Sequence, residues 1–339
     1  MDFDLNDDQR EIKSVARELL SARSTWVRVR EAATAGEYDE TLWREICDLG
    51  WPGIAVSEEH GGQGLGMVEL AVLLEELGYA CAAVPFLSTA VAAAIIDRHS
   101  DDGEMLEHLP GLLRGETRVG VGRSGLIVDG ADGPAALLVD HGRLMGVDSS
   151  RREPLVTIDP TRRFGRMPEG QGFVGVWNGD TAEDAAALVT IAISAEVVGV
   201  CQRALEMTLA YVKERRQFGV PVGSFQAVSH RCAEMLLHTE SVRSAAYYAA
   251  WAADAGEGGS VSLGEAAALA GAAAATGGRE VAASAIQAHG GVGFTWEADV
   301  HWLYKRAEVD RALLGGTSVH HAALARAAAA RVASVSAAT

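Results

Sequence analysis

From Asp184 onward the chain is dominated by alanine in long stretches of helical pattern, and this half constrains the fold more than any other feature. Alanine has the best intrinsic helix propensity, and its small side chain lets neighbouring helices approach closely. Two capping boxes, Thr181-x-x-Asp184 and Ser262-x-x-Glu265, predict helix starts near 182 and 263. The run Gly256-Glu257-Gly258-Gly259 separates two long helices predicted over 225–255 and 263–289. Long helices with short connections predict an antiparallel bundle over 181–330. The alanine-rich end, 331–339, is expected to fray as a tail.

Residues 1–114 also read as helical. Ile12, Val15, Ala16, Leu19 and Leu20 form an amphipathic stripe between Asp4 and Ser21. A second pattern surrounds Leu42 to Leu49, and others run from Val68 to Tyr79 and from Ser88 to Arg98. The loop Gly61-Gly62-Gln63-Gly64-Leu65-Gly66 interrupts them through its glycine content. Between 115 and 180 the text changes to short apolar runs, Ala136–Val139, Leu155–Ile158 and Phe173–Trp177, set between Gly, Pro and Asp turns. That punctuation predicts strands. The expected fold is mainly α, with a small β middle domain between two helical ones.

Composition excludes several functions. The 339 residues are 48% hydrophobic and carry a net charge of −17, which opposes general binding to nucleic acid or anionic membranes. No apolar run reaches membrane-spanning length without a charge. The start, Met1-Asp2-Phe3-Asp4, is acidic where a signal peptide is basic, so a cytoplasmic location is expected. Cys47, Cys81, Cys201 and Cys232 lie far apart with no CxxC pair, which argues against a disulfide framework or a cysteine zinc site.

Several motifs are decoys. Gly120-Val-Gly-Arg-Ser-Gly125 matches GxGxxG, but Leu126-Ile127-Val128 and a turn at Gly130 follow it instead of a helix. His289 and the pair His320-His321 lack the spacing of metal ligands, so no metal site is expected, and no GxSxG elbow is present.

Two stretches carry more. Arg215-Arg216-Gln217-Phe218-Gly219-Val220-Pro221 runs to Ser224-Phe225-Gln226 between two strong helices. Gln287-Ala288-His289-Gly290-Gly291-Val292-Gly293-Phe294 closes the helix predicted over 263–289. A glycine pair after a helix is an ordinary C-cap, and an Arg-Arg pair is ordinarily a solvated face. Together they place a guanidinium, amides and bare backbone at helix–loop junctions, a set suited to the pyrophosphate and adenosine of a bulky cofactor.

These residues resemble the acyl-CoA dehydrogenase family, whose members carry R-x-Q/T-F-G-x-P…F-Q followed by Q-x-x-G-G-x-G-F/Y. Gly53–Gly64, Glu75-Glu76-Leu77-Gly78 and Thr161-Arg162-Arg163 are similarly family-like. The resemblance spans nearly the whole chain. It implies an α-helical N-terminal domain (1–114), a β middle domain (115–180) that is truncated here, and a C-terminal four-helix bundle.

The departures are as informative as the matches. The family abstracts an α-proton from an acyl-CoA with a carboxylate and passes a β-hydride to flavin. The usual base is the Glu of a Y-E-G-T-S-Q loop, and here the aligned stretch is Leu314-Gly315-Gly316-Thr317-Ser318-Val319. Gly315 has no side chain. The family's alternative base position falls at Val189, and its CoA-contacting Asp and Arg fall at Ala187 and Thr190. Glu196 is the nearby carboxylate, readable as a displaced base or as a packing residue. The family's flavin-ring loop has no counterpart after Arg118, and Val319 replaces the Gln that follows Thr-Ser.

In the family each FAD is shared, with the ring, base and substrate on one subunit and much of the adenosine and pyrophosphate end on its neighbour. By resemblance, the cofactor-binding set retained here is Arg215, Gln217, Phe218, Gln226, Gln287, Gly290, Gly291 and Thr317. The chain therefore looks like the short, non-catalytic subunits of actinobacterial, steroid side-chain type heteromeric acyl-CoA dehydrogenases. That resemblance implies an α2β2 heterotetramer with a catalytic partner, a bulky or steroid side-chain acyl-CoA as substrate, and an electron-transfer flavoprotein as acceptor. A homomeric dehydrogenase using Glu196, and a flavin-free assembly or regulatory protein, are the alternatives.

Overall fold

The structure is a computed structural model that describes residues 4–99, 103–123, 125–130, 135–140, 143–148, 152–167, 173–255 and 261–338. The first part holds helices α1 (Asp7–Arg23), α2 (Trp26–Ala35), α3 (Glu40–Asp48), α4 (Met67–Tyr79), α5 (Phe86–His99), α6 (Gly103–Leu106) and α7 (Leu109–Leu113). Helix α1 starts at a true capping box, in which Asn6 accepts from the Gln9 amide and the Gln9 side chain accepts from the Asn6 amide. Its stripe is buried at Ala16 and Leu20.

The middle region holds β1 (Val119–Arg123), β2 (Leu126–Val128), β3 (Ala135–Asp140), β4 (Arg143–Asp148), β5 (Glu153–Leu155), β6 (Phe164–Arg166) and β7 (Phe173–Asn178). They form one sheet in the order β5-β6-β2-β1-β3-β4-β7. Only β1 and β3 pair in parallel among the described strands. No pairing joins β5 to β7 among the described residues. Side chains alternate across it: Leu137, Val139 and Leu144 join the main core, while Ala136, Leu138 and Met145 pack with Ile127 and Met167 on the other face. The described part of the GxGxxG sequence lies in strand β1 (Gly120–Arg123) and at Gly125, just before β2, with no helix following it.

The last part holds α8 (Asp180–Glu214), α9 (Gln226–Ala255), α10 (Leu263–His289), α11 (Val300–Leu313) and α12 (Thr317–Ala338). Between α8 and α9 lies a small hairpin of β8 (Arg216–Gln217) and β9 (Val220–Pro221). Helices α8–α11 form the four-helix bundle. Helix α8 has an 18-residue window of mean hydropathy 1.8, and 89% of that window is buried, so its apolarity belongs to the bundle core.

Helix α8 also joins the two helical parts. Gly78 of α4 and Gly199 of α8 each face the other helix's backbone: a Cβ at Gly78 would sit 2.1 Å from the Glu196 carbonyl, and one at Gly199 1.8 Å from the Glu75 carbonyl. Gly199→Ala is therefore expected to cost 1–3 kcal/mol or more, because neither backbone can recede. A urea-unfolding midpoint equal to wild type would contradict this contact.

Beside that crossing lies a buried ionic network drawn from all three parts. Arg306 of α11 is fully buried and donates to Asp159 (2.7 Å), Glu196 (2.8 Å), Thr161 (2.7 Å) and the Ala82 carbonyl. Arg162 also donates to Glu196, and Tyr38 donates to Asp129 at 2.6 Å.

Some details differ from the sequence reading. Helix α8 begins at Asp180 behind Gly179, with no side-chain cap, so Thr181 lies inside the helix and its capping pattern is not used. Strand β5 ends at Leu155, and the apolar Val156 and Ile158 point to solvent. Helix α12 continues to Ala338 across the segment expected to be a tail. The Gly256–Gly259 separator lies outside the described residues, but the helices on either side end and begin where expected, at Ala255 and Leu263.

Candidate functional site

Two regions hold the predicted site residues. The first is the end of the bundle where α8 runs into α9 and α10 into α11. Arg215 caps α8 in extended conformation, and its guanidinium has no carboxylate partner among the described residues, in a chain of net charge −17. Gln217 and Phe218 lie on the β8–β9 hairpin, and Gln226 opens α9. Phe218 has φ +53 and Gly219 φ +84, the left-handed pair of a tight two-residue hairpin turn. A phenylalanine in that conformation costs about 1–2 kcal/mol. The turn holds its ring 93% exposed, edge-on to Phe225 at 6.2 Å.

Gln287 and Gly290-Gly291 lie on the neighbouring junction. Gln287 is exposed, and a Cβ at either glycine would meet nothing within 4 Å, so bare backbone faces open space. Tyr211 and His289 stack with centroids 4.5 Å apart and bring the two junctions together. A groove of about 500 Å³ begins at Gln287 and continues past Phe294, Trp296, Tyr304 and Lys305. Phe294 is 78% and Trp296 74% exposed, and with Val220 and Val292 they make this end of the bundle apolar as well as cationic. This donor set fits the phosphates and adenosine of a dinucleotide: a guanidinium for charge, amides and bare glycine for close approach, and aromatic faces for a ring.

Thr317 does not belong to that group. It opens α12, and its hydroxyl meets Thr276 at 3.3 Å. Thr276 lies eleven residues before Gln287, or about 16 Å along α10.

The second region is a cavity of about 420 Å³ between α8, α10 and α12, whose lining includes Glu183, Ala187, Thr190, Glu265, Val319 and His320. Arg123, at the end of β1, lines it and donates to the Leu314 carbonyl (3.3 Å) and the Thr190 hydroxyl (3.4 Å). His320 packs beneath, where its Nε2 is 2.9 Å from the same carbonyl. Burial, reinforced by the nearby Arg123 charge, lowers its pKa to about 4, so it is neutral near pH 7. Neutral imidazole with Nε2–H donating leaves Nδ1 without a proton. Sequence reasoning missed Arg123, because an arginine ending a short strand carries no motif.

Gly315 has φ +76, and a Cβ there would lie 3.8 Å from the Arg123 Cδ. Restoring a carboxylate by Gly315→Glu would force a left-handed backbone on a bulky residue, at about 1–2 kcal/mol, and place it against a guanidinium. The variant is expected to melt lower than wild type and to show no acyl-CoA oxidation when expressed alone. Turnover by the isolated variant would show that the missing base is the sole defect.

Glu196 lies elsewhere. It is buried with 1% exposure and clasped by Arg162 and Arg306. A carboxylate between two guanidiniums and away from the cavity has the surroundings of a packing residue. His289 and His320 each bond a backbone carbonyl, and no cluster of metal-ligating side chains occurs among the described residues.

Residues 6–116 match the acyl-CoA dehydrogenase N-terminal domain, and 182–329 match the acyl-CoA dehydrogenase C-terminal domain. The chain is 32% identical to acyl-CoA dehydrogenase IpdE2 of Mycobacterium tuberculosis over 85% of this chain and 86% of that protein. The fold superposes on a solved structure of the Tcur3481–Tcur3483 steroid ACAD, G363A variant, with TM-score 0.86, 28% identity, and 96% and 99% of the two chains covered. It matches a chain of the ChsE4–ChsE5 complex of M. tuberculosis with TM-score 0.85, 25% identity, and 97% and 99% covered. The sequence motifs, the order of the three parts and these similarities agree: the chain belongs to the acyl-CoA dehydrogenase family.

Proposed function

We propose that this chain is the non-catalytic subunit of a heteromeric, FAD-dependent acyl-CoA dehydrogenase, and that it completes the FAD site of a catalytic partner. The observation that carries this reading is the division of the site. Gly315 and Val189, the family's two base positions, carry no carboxylate, and the carboxylates that line the adjoining cavity are Glu265, paired with Arg331, and the exposed Glu183, while the far end of the bundle keeps Arg215, Phe218, Gln287, Gly290 and Gly291 open.

When bound, FAD supplies the acceptor for the hydride that leaves the acyl β-carbon. Arg215 neutralises phosphate charge, and Gly290 and Gly291, with open space where a Cβ would stand, let the cofactor approach the backbone closely. Gln217, Gln226 and Gln287 provide neutral hydrogen-bonding groups around the adenosine. The exposed Phe218, Phe225, Phe294 and Trp296 form an apolar face of the kind that a subunit interface covers. The partner supplies the base, the flavin-ring loop and the CoA contacts, in an α2β2 assembly.

Steroid-related names among the similar proteins support a bulky or steroid side-chain acyl-CoA as substrate. The reducing equivalents pass to an electron-transfer flavoprotein, as the family implies. Nothing in this reading requires a membrane or nucleic acid, and the acidic composition suits the cytoplasm.

The test is to express the chain alone and together with the acyl-CoA dehydrogenase chain encoded beside it, then record flavin absorbance and acyl-CoA oxidation. Colourless, inactive protein alone and a yellow, active complex with about one FAD per heterodimer are expected. Yellow, active protein from this chain alone would overturn the reading. Colourless protein from both preparations would point to an assembly role without flavin.

A further inference from the structure

We propose that Tyr211 and His289 form a positioning brace that sets the distance between Arg215 and the bare Gly290–Gly291 backbone, so that both reach one dinucleotide together. The inference rests on the reading that this end of the bundle completes a flavin site.

The two groups of cofactor contacts sit on separate helix ends, and each end runs into an exposed loop. Tyr211 lies one turn before Arg215, and its carbonyl accepts the Arg215 amide at 2.9 Å. His289 is the last residue of α10 and directly precedes Gly290. The two rings are stacked at 4.5 Å with 23° between their planes, so the side chains tie one contact segment to the other.

The imidazole is itself held from two further sides. Its Nδ1–H donates to the Ala285 carbonyl at 2.7 Å, which sets both tautomer and ring direction. The 290–294 turn folds back against it, and a Cβ on Gly293 would lie 2.5 Å from the Ile286 carbonyl and 3.1 Å from the His289 Cβ. His289 is consequently buried, with 8% exposure, although it adjoins two open glycines. Burial lowers its pKa against the opposing effect of the Ala285 hydrogen bond, so the stacked ring is neutral near pH 7. Neither ring needs to touch the cofactor. Fixing the spacing beforehand removes an ordering cost from binding, which is how preorganisation raises affinity.

The experiment titrates FAD into the apo heteromeric complex and follows flavin fluorescence. Tyr211→Leu keeps apolar bulk but removes the ring, and is expected to raise the FAD Kd about tenfold while leaving the thermal midpoint of the apo complex unchanged. Tyr211→Phe keeps the ring and is expected to bind as wild type. His289→Leu should match Tyr211→Leu, and the double variant should bind no worse than either single one, since the brace is lost once. Wild-type affinity in Tyr211→Leu, or failure of Tyr211→Phe to restore it, would overturn the brace. An Arg215→Ala complex that also binds FAD as wild type would instead overturn the flavin-completing reading on which the brace rests.

Discussion

Arg306→Met is expected to destabilise the chain by about 3–5 kcal/mol, measured as a lower urea-unfolding midpoint at pH 7. The substitution keeps much of the volume but leaves Asp159 without its guanidinium partner and Glu196 with Arg162 alone. Asp159, Glu196 and Arg306 are each no more than 1% exposed, so water cannot replace the lost charge pairing. The loss should also be shared by all three parts, because Asp159 and Thr161 belong to the β region, Ala82 to the first helical part, and Glu196 and Arg306 to the bundle. An unchanged midpoint would mean that the network does not join them.

The same network sets a pH dependence with two opposite signs. Burial alone would raise the Asp159 pKa, but Arg306 and the Thr161 hydrogen bond outweigh it and hold the carboxyl below its usual range. Its stabilisation is therefore present above the unfolded pKa of about 4 and lost as pH falls through the lower folded value. Asp310 behaves in reverse. Burial, then the neighbouring Glu196 charge, pushes its pKa well up, so its contribution is full below about pH 4 and is lost as pH rises through the folded value. Arg306→Met should thus flatten the acid limb of the stability curve that Asp159 creates.

Arg215→Ala is expected to weaken FAD binding to the heteromeric complex by roughly 1.5–3 kcal/mol, about tenfold to a hundredfold in Kd. A charge-assisted contact to phosphate has no substitute at this position, since the adjacent Arg216 donates to the Gly219 carbonyl within its own hairpin. Arg215 is exposed and without a carboxylate partner among the described residues, so its removal should leave the unfolding midpoint of the isolated chain near wild type. That contrast with Arg306 separates a ligand-facing arginine from a structural one. Unchanged FAD affinity in Arg215→Ala would count against the assignment of this end of the bundle.

Both arginines are single letters in similar alanine-rich text, and only one was legible. Arg215 stands in a motif with Gln217, Phe218 and Gln226, which marks it as a candidate contact before any fold is known. Arg306 and Arg123 carry no such mark, because what defines them is the set of distant residues that folding brings within hydrogen-bond reach. Glu196 shows the same limit from the other side. Its chemistry permits a base, but its two guanidinium neighbours come from residues 34 and 110 positions away.

Local structure was readable wherever neighbours in the chain decide it. Ser262 caps α10 through the Glu265 amide, and Gly290 ends that helix in a backbone conformation that side chains rarely adopt, so both ends follow from adjacent residues. At α8 the same reasoning fails by two residues, since Gly179 supplies the entry and Thr181 is left inside the helix. At Leu155–Ile158 apolar composition implied strand, yet Val156 is fully exposed, because burial is settled by what packs against a segment.

By itself, the sequence determined the helical–β–helical order and the family, and it holds the contrast on which the proposed function draws, glycine at position 315 against the motif residues around Arg215 and Gln287. Each of these is written in residue identity, spacing or local propensity. Only the tertiary structure decided that Arg123 lines the cavity beside Gly315, that Glu196 is clasped inside an ionic network, and that Thr317 stands apart from the other candidate contacts. It alone brought Tyr211 against His289. The reason is physical: an ion pair, a ring stack or a filled cavity depends on separation in space, and residues 78 or 191 positions apart acquire a separation only when the helices between them have packed.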